Sequence, residues 1–362
     1  AVDGIYCCVL RCADANTIIA CLHNQALARR TMQNVRDITP GVTVLITGGA
    51  GFIGSNLCDA VVEMGYNVRC MDNLITGKKE NIEHLIGHPN FKFLETDLRD
   101  YDSCVKAVSG VEIILHQAAL GSVPRSVDDP ITTNSINING TLNLLDAAQR
   151  AGVRRIVYAG SSSAYGDSPV LPKVEDHRGN PLSPYAVTKF VGELYCSVFS
   201  SLHGMETICL RYFNVFGPRQ DPDGVYAAVI PKFIQSMMRH EEPTVFGDGE
   251  QTRDFTHVKN VIDANILAMT TVDEKALNQT YNIAAGQRTS VNQLFDFLKE
   301  LLLDFDQEIG SLDMIHTETR LGDIPHSTAS IEKAKEFLGY NPTIDVEQGL
   351  KMAIGWYWDN LN

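Results

Sequence analysis

A tyrosine and a lysine four residues apart, Tyr185 and Lys189 in Ser-Pro-Tyr-Ala-Val-Thr-Lys, are the side chains of this protein best placed to move a proton. A phenol with an ordinary pKa of about 10 is no base at neutral pH. Residues four apart share a helix face, so the Lys189 ammonium is expected beside the Tyr185 ring, where it would favour the phenolate. Lowering the phenol by ~3 units corresponds to ~4 kcal/mol of preferential phenolate stabilisation. Upstream, Ser161, Ser162 and Ser163 supply a cluster of hydroxyls, and Gly48-Gly49-Ala50-Gly51-Phe52-Ile53-Gly54 forms a glycine-rich turn. Tyr-x-x-x-Lys alone is a common accident of helices. With the serine cluster and the glycine turn, in this order, it becomes a candidate for moving a proton and a hydride together.

Such side chains need a scaffold, and the pattern around the glycine turn supplies one. Val42-Thr43-Val44-Leu45-Ile46 predicts a buried strand, and the spacing of Ile53, Leu57, Ala60 and Val61 predicts a helix from Phe52 to Met64. A second strand, Asn67 to Met71, ends at Asp72. This is a βαβ unit in which Gly48, Gly51 and Gly54 let the backbone approach a pyrophosphate. Phe52 and Ile53 open the helix whose N-terminus meets that charge. Asp72, with Asn73 beside it, would accept hydrogen bonds from an adenosine ribose and repel a 2′-phosphate. The cofactor read from this pattern is NAD rather than NADP, with Lys78 and Lys79 the only nearby features that point the other way.

Further strands are predicted at Phe91–Leu94, Val111–Leu115, Arg155–Ala159 and Thr207–Leu210, with helical stretches between most of them. Strands alternating with helices predict an α/β fold, a Rossmann-type doubly wound parallel sheet. Asp97 and Leu98 follow the third strand, near the adenine; Ala118 and Ala119 follow the fourth, where small side chains let a cofactor pass. After about residue 215 the pattern loosens into turns. Ser290-x-x-Gln293 and Asp345-x-x-Gln348 read as capping boxes opening two late helices. The division expected is an N-terminal extension, 1–39, a mainly NAD-binding domain, 40–213, and a mainly substrate-binding C-terminal α/β domain, 214–362, some of whose segments return to the sheet.

Composition narrows the partners. The chain has 362 residues, 44% of them hydrophobic, and a net charge of −14, which argues against a general nucleic-acid or anionic-membrane binder. No apolar run is long enough to span a membrane. Four of nine cysteines, Cys7, Cys8, Cys12 and Cys21, crowd the start; the others are scattered as buried thiols of a reducing, cytoplasmic compartment would be. The ten histidines show no metal-ligand spacing, so no metal is expected. The first segment is a poor secretory signal, and residues 1–31 are expected to be dispensable for the core fold.

Several longer stretches resemble one family. These are His116-Gln-Ala-Ala-Leu-Gly-Ser-Val-Pro-Arg125, Ser161-Ser-Ser-Ala-Tyr-Gly-Asp167, Ser183-Pro-Tyr-Ala-Val-Thr-Lys189, Arg211-Tyr-Phe-Asn-Val-Phe-Gly217, Asp221-Pro-Asp-Gly-Val-Tyr-Ala-Ala-Val-Ile-Pro231 and Gly247-Asp-Gly-x-x-x-Arg-Asp-Phe255. Over about residues 40–360 the chain resembles the extended short-chain dehydrogenase/reductases, and within them bacterial UDP-N-acetylglucosamine 4-epimerases. The resemblance implies that Tyr185 exchanges the proton of the sugar 4-hydroxyl while C4 gives a hydride to NAD. Lys189 would hold the nicotinamide ribose, and Ser161 would hydrogen-bond the 4-oxygen. A transient 4-keto sugar would turn over and take the hydride back on its other face. Related dehydratases and decarboxylases carry acids where this chain has Ser162 and Ser163, so epimerisation is favoured over elimination or decarboxylation.

On the substrate side, the resemblance implies that Arg253 and Arg320 meet the UDP diphosphate and Asp323 the uridine ribose. Arg219 could also approach the UDP, while Phe246 falls in the uracil-contacting segment and Asn214 near the diphosphate. Ser327 matches a gate where a small residue admits a 2-acetamido group; Gly121, Ser122, Ser162 and Ser163 would line the sugar pocket. This favours UDP-GlcNAc and UDP-GalNAc, with UDP-N-acetylhexosaminuronic or UDP-glucuronic acid the alternative. A non-catalytic NAD-sensing protein is the competing class, and the retained Tyr185 and Lys189 weigh against it. A homodimer through helices near residues 133–150 and 185–203 is expected by the same resemblance.

Overall fold

The structure, a computed structural model, describes residues 40–177, 179–221, 229–318 and 326–361. The expected N-terminal extension, with its four cysteines, lies outside the described residues, as do Arg320 and Asp323. Residues 39–362 make one compact unit.

Its centre is a seven-stranded sheet of β1 (Thr43–Thr47), β2 (Asn67–Asp72), β3 (Phe91–Glu95), β4 (Ile113–His116), β5 (Arg155–Ser161), β6 (Glu206–Tyr212) and β7 (Gln279–Ile283). The spatial order is β7-β6-β5-β4-β1-β2-β3, and every pairing is parallel. The Rossmann-type expectation therefore holds. The strand order reverses between β1 and β4, and a crevice opens there beyond the carboxyl ends of the strands. Because Val44 pairs with Ile113 and Thr47 with His116, the glycine turn after β1 and Gln117-Ala118-Ala119 after β4 emerge side by side.

Helices cover both faces. On one lie α1 (Phe52–Glu63) and the later α6 (Val258–Thr270); on the other lie α2 (Tyr101–Val108), α3 (Gly140–Ala151) and α4 (Pro184–His203). The second face encloses a core of Ile114, Ile156, Tyr158, Leu144, Leu145, Cys196 and Phe199. Arg155 is fully buried in β5, where it pairs with Glu206 and donates to the carbonyls of Ala268 and Met269 at the end of α6. A cation there satisfies carbonyls that a helix C-terminus leaves open. The five described cysteines are buried free thiols.

A second apolar core gathers α5 (Val229–Met238), α7 (Val291–Leu302) and α8 (Val346–Asn360) around Phe233, Leu294, Phe295, Leu298, Leu350, Ile354 and Tyr357. Both capping boxes form. Gln293 N donates to Ser290 Oγ at 3.1 Å, and Gln348 N donates to Asp345 Oδ1 at 2.8 Å.

Two local expectations change. The fourth strand starts at Ile113 rather than Val111, because Val111 N is spent closing the preceding helix on Val108 O. The helix expected over 133–150 is interrupted by a π turn at Ser135–Asn139. Its Asn137 is buried and hydrogen-bonds Leu120 N at 2.7 Å and Thr188 Oγ1 at 3.0 Å. The π turn so links the wall of the crevice to the residue preceding Lys189.

Candidate active site

The crevice is a cavity of about 450 Å³, and every residue named above for the cofactor lines it: Gly48, Gly51, Phe52, Ile53, Gly54, Asp72, Asn73, Asp97, Leu98, Ala118, Ala119, Tyr185 and Lys189. Gly48 and Gly54 are sterically required. A Cβ on Gly54 would stand 2.0 Å from Gly48 O, and one on Gly48, whose φ is +67°, 2.7 Å from Ala118 Cα. Gly51 caps α1 without a side-chain hydrogen bond, and the first turn holds no acid. That helix start can accept an anion.

At the far end, Asp72 is nearly buried and its carboxylate accepts from Ala50 N at 3.0 Å and Leu74 N at 2.8 Å. Burial raises its pKa, and these backbone donors oppose the rise. Asp97 accepts from Asn73 Nδ2 at 2.7 Å and from Arg99, which holds it down to about 2. A carboxylate at the end of β2, an uncapped helix start and a glycine cradle fit an adenine dinucleotide without a 2′-phosphate.

Ser183 caps α4 by accepting from Ala186 N, with Pro184 at its first position, so Tyr185 and Lys189 occupy its opening turns. Tyr185 N donates to the buried Ser126 Oγ at 3.0 Å. Ser161 ends β5, lies near enough to the Tyr185 side chain to act on its titration, and shares a 2.7 Å hydrogen bond with Ser163 Oγ. Ser162 opens the short 3₁₀ turn that follows.

One electrostatic expectation changes here. Desolvation raises the Tyr185 phenol, and the group that lowers it is Ser161 rather than Lys189. The Lys189 ammonium, 5% exposed, donates to Ala159 O at 2.7 Å and lies 5.2 Å from the Tyr158 ring centre. Burial lowers it to about 8, and Glu193 one turn further on partly restores it. Helical spacing brings Tyr185 and Lys189 to one face; it does not fix where the lysine's long stem delivers its charge. His116, the last residue of β4, lies between Thr47 Oγ1 and Thr141 Oγ1 at 2.7 and 2.9 Å, and burial drives it down to about 3, so it is neutral.

The expected substrate residues divide. Gly121, Ser122 and Arg219 line the same cavity as the cofactor residues. Phe246, Arg253 and Ser327 sit on a separate knot of short strands, where Thr252–Arg253 pairs with Thr289–Ser290 and Ser327 N donates to Thr252 O at 3.1 Å. Asn214 lies below it, donating to Asp254 O at 3.1 Å. Sequence reading missed Thr76, Gln117, Arg125, Tyr212 and Gln220 as cavity residues. Gln117 and Arg125 lie inside quoted motifs and could have been found there; Thr76 and Gln220 sit on turns with no periodic signal.

Fold and cavity together define a dinucleotide-binding enzyme scaffold, with Tyr185 and Lys189 in the wall of the cofactor cleft and Ser161 next along β5 from the lining residue Gly160. The sequence profile of the NAD dependent epimerase/dehydratase family matches residues 44–284. The chain belongs to that family, and its cofactor is NAD. A Methanocaldococcus jannaschii protein with a provisional UDP-glucose 4-epimerase name is 42% identical over 320 residues, 88% of this chain and 99% of that protein. The UDP-N-acetylglucosamine 4-epimerase of Methanobrevibacter ruminantium, in complex with UDP-N-acetylmuramic acid, is 37% identical with a TM-score of 0.82, covering 89% of this chain and 99% of its own. The UDP-glucuronic acid 4-epimerase of Bacillus cereus, with UDP-glucuronic acid and NAD, is 30% identical with a TM-score of 0.80, covering 88% and 99%.

Among the described residues no helix is long and apolar enough to cross a membrane, and no group of three or more His, Cys, Asp or Glu could hold a metal.

Proposed function

We propose that this protein is an isomerase, a UDP-sugar 4-epimerase, and that it interconverts UDP-GlcNAc and UDP-GalNAc. The observation that carries the reaction is Tyr185 with Lys189 in the cleft wall, beside a β5 end that supplies Ser161 and then Ser162 and Ser163 where an eliminating enzyme would need acids. NAD, when bound, supplies the acceptor and then the donor of the hydride at sugar C4. Tyr185 takes and returns the proton of the 4-hydroxyl, and Ser161 holds the 4-oxygen in line with it. Lys189 orients the nicotinamide ribose. Gly121, Ser122 and Ser163 border the sugar, leaving room for it to turn.

The UDP part belongs to residues 214–362 in this proposal, with Arg253, Arg320 and Asn214 toward the diphosphate and Phe246 and Asp323 toward the uridine. Residues 40–213 mainly bind NAD. Ser327 favours the acetamido sugars because its short side chain leaves space that a tyrosine would fill. In an NMR time course of protein with UDP-GlcNAc, UDP-Glc and UDP-GlcNAcA in parallel, UDP-GalNAc should form faster than product from the other two. Ser327→Tyr should slow the acetamido sugar at least tenfold and spare UDP-Glc. Equal loss on both removes the gate, and turnover of the uronic acid alone moves the substrate assignment.

The same reading includes a homodimer. Val187, Leu194, Val198 and Leu202 form an exposed apolar stripe along α4, and Val127 and Ile131, the latter 81% exposed, lie on the neighbouring short helices. A second copy presenting the same stripe would cover it with two helices from each side. Sedimentation should give a dimer that Leu194→Lys with Leu202→Glu converts to a monomer; a monomeric parent protein ends this part of the proposal.

A further inference from the structure

The segment that follows β6 crosses back over the cofactor crevice, and three contacts fasten it there. Pro218 O accepts from Asn56 Nδ2 at 3.2 Å, and Asn56 Nδ2 also donates to Phe52 O, one turn earlier in α1. Arg219 pairs with Asp59 of α1 at 2.7 Å. Lys78, from the loop after β2, pairs with Asp221 at 3.0 Å. The segment is thus tied to the dinucleotide helix and to the adenosine-side loop, while Arg219, Gln220 and Asp221 line the cavity with Gly51, Phe52 and Ile53.

Arg219 adopts a left-handed backbone conformation, φ 71°, that a side-chain-bearing residue takes only at a cost. That conformation turns its side chain onto α1. Asp59 also bonds His84 at 2.6 Å, so the carboxylate is itself held and fixes the guanidinium it meets. A guanidinium carries five donors in one plane, and a single carboxylate oxygen leaves several for another anion. The residues expected to meet UDP, Phe246 and Arg253, lie on the separate strand knot and are not in the cavity wall that Arg219 shares with the glycine turn.

We propose that Pro218–Asp221 is a strap that retains NAD, and that Arg219 is its cation on the dinucleotide diphosphate rather than on that of the nucleotide sugar. A reaction that takes a hydride from the sugar and returns it to the same carbon requires the cofactor to stay bound between the two transfers. A strap rooted on α1 gives that retention independently of the strand knot that carries Phe246 and Arg253. The inference rests on the family's NAD dependence and not on which sugar is the substrate.

The test measures cofactor retention separately from nucleotide binding. Purified Arg219→Met and Arg219→Lys holoproteins would be diluted into excess isotopically labelled NAD, and loss of the original cofactor followed by mass spectrometry; UDP affinity would be measured by calorimetry on the same NAD-saturated samples. Arg219→Met should release NAD at least tenfold faster, Arg219→Lys by a smaller factor, and both should keep the Kd for UDP within about twofold. Unchanged NAD release with weakened UDP binding overturns the proposal and gives Arg219 to the sugar nucleotide. Unchanged behaviour of both ligands overturns it as well. Should Arg219→Met fail to fold, Asp59→Asn is the second variant: it should speed NAD release several-fold, and unaltered release there sinks the idea equally.

Discussion

Tyr185→Phe should lower kcat for sugar epimerisation by about 10²–10⁴-fold, the range for removing a positioned general acid–base. The substitution deletes one oxygen. The ring remains in its place on the opening turn of α4, and the backbone contact from Tyr185 N to Ser126 Oγ is untouched. Ser161 keeps its hydrogen bond with Ser163. NAD content and melting temperature should therefore stay close to those of the parent protein, so that the loss falls on the chemical step. NMR turnover of UDP-GlcNAc together with the NAD content of the purified variant reads this directly. Full activity in the phenylalanine variant would refute Tyr185 as the proton carrier and with it the serine–tyrosine account of the site.

Lys189→Met should separate function from stability. Lys189 is buried, and its pKa falls to about 8. Against an ordinary lysine near 10.4, that depression makes the charged side chain cost the cofactor-free fold about 3 kcal/mol at neutral pH. The sign follows from proton counts. Between about pH 8 and 10 the unfolded chain binds this proton more tightly than the native protein, so native stability rises with pH across that window. Below pH 8 the full cost is present. Methionine has similar length and no charge, and the loss of the Lys189–Ala159 hydrogen bond offsets part of the gain. The cofactor-free variant should be more stable than the parent by about 1–2 kcal/mol in denaturant unfolding at pH 7, with the difference shrinking toward pH 10. Its turnover should fall at least a hundredfold. A variant less stable than the parent at pH 7 would contradict the burial argument.

The sequence carried the sheet and cofactor cradle well because both depend on short-range patterns. β-branched runs mark parallel strands buried on both faces, and the glycine spacing marks a turn whose close contacts exclude side chains, as the 2.0 Å approach to Gly48 O shows for Gly54. Capping boxes at Ser290 and Asp345 were legible for the same reason, since each is written within four residues. Charge placement was less legible. Lys189 and Tyr185 share a helix face, but the lysine's destination is a carbonyl on β5, set by tertiary packing. Asn137 and Ser126 position the site from a π turn and a six-residue helix, neither of which leaves a periodic trace. Arg219 reads as one more arginine in a turn until its backbone conformation and Asp59 are seen.

The place of β7 has a consequence for synthesis. It is the last strand of the sheet, hydrogen-bonded to β6, yet the chain runs from Tyr212 to Gln279 before supplying it. A ribosome working at about 5–20 residues per second needs several seconds to cover that interval. During that time β6 is an open parallel edge, with backbone donors and acceptors that another nascent chain could pair with. Arg155 is incomplete over much of the same interval, because Ala268 and Met269 supply two of its acceptors. Translation pauses before residue 283 would prolong this vulnerable state, whereas pauses after β7 has left the ribosome would find β6 already paired.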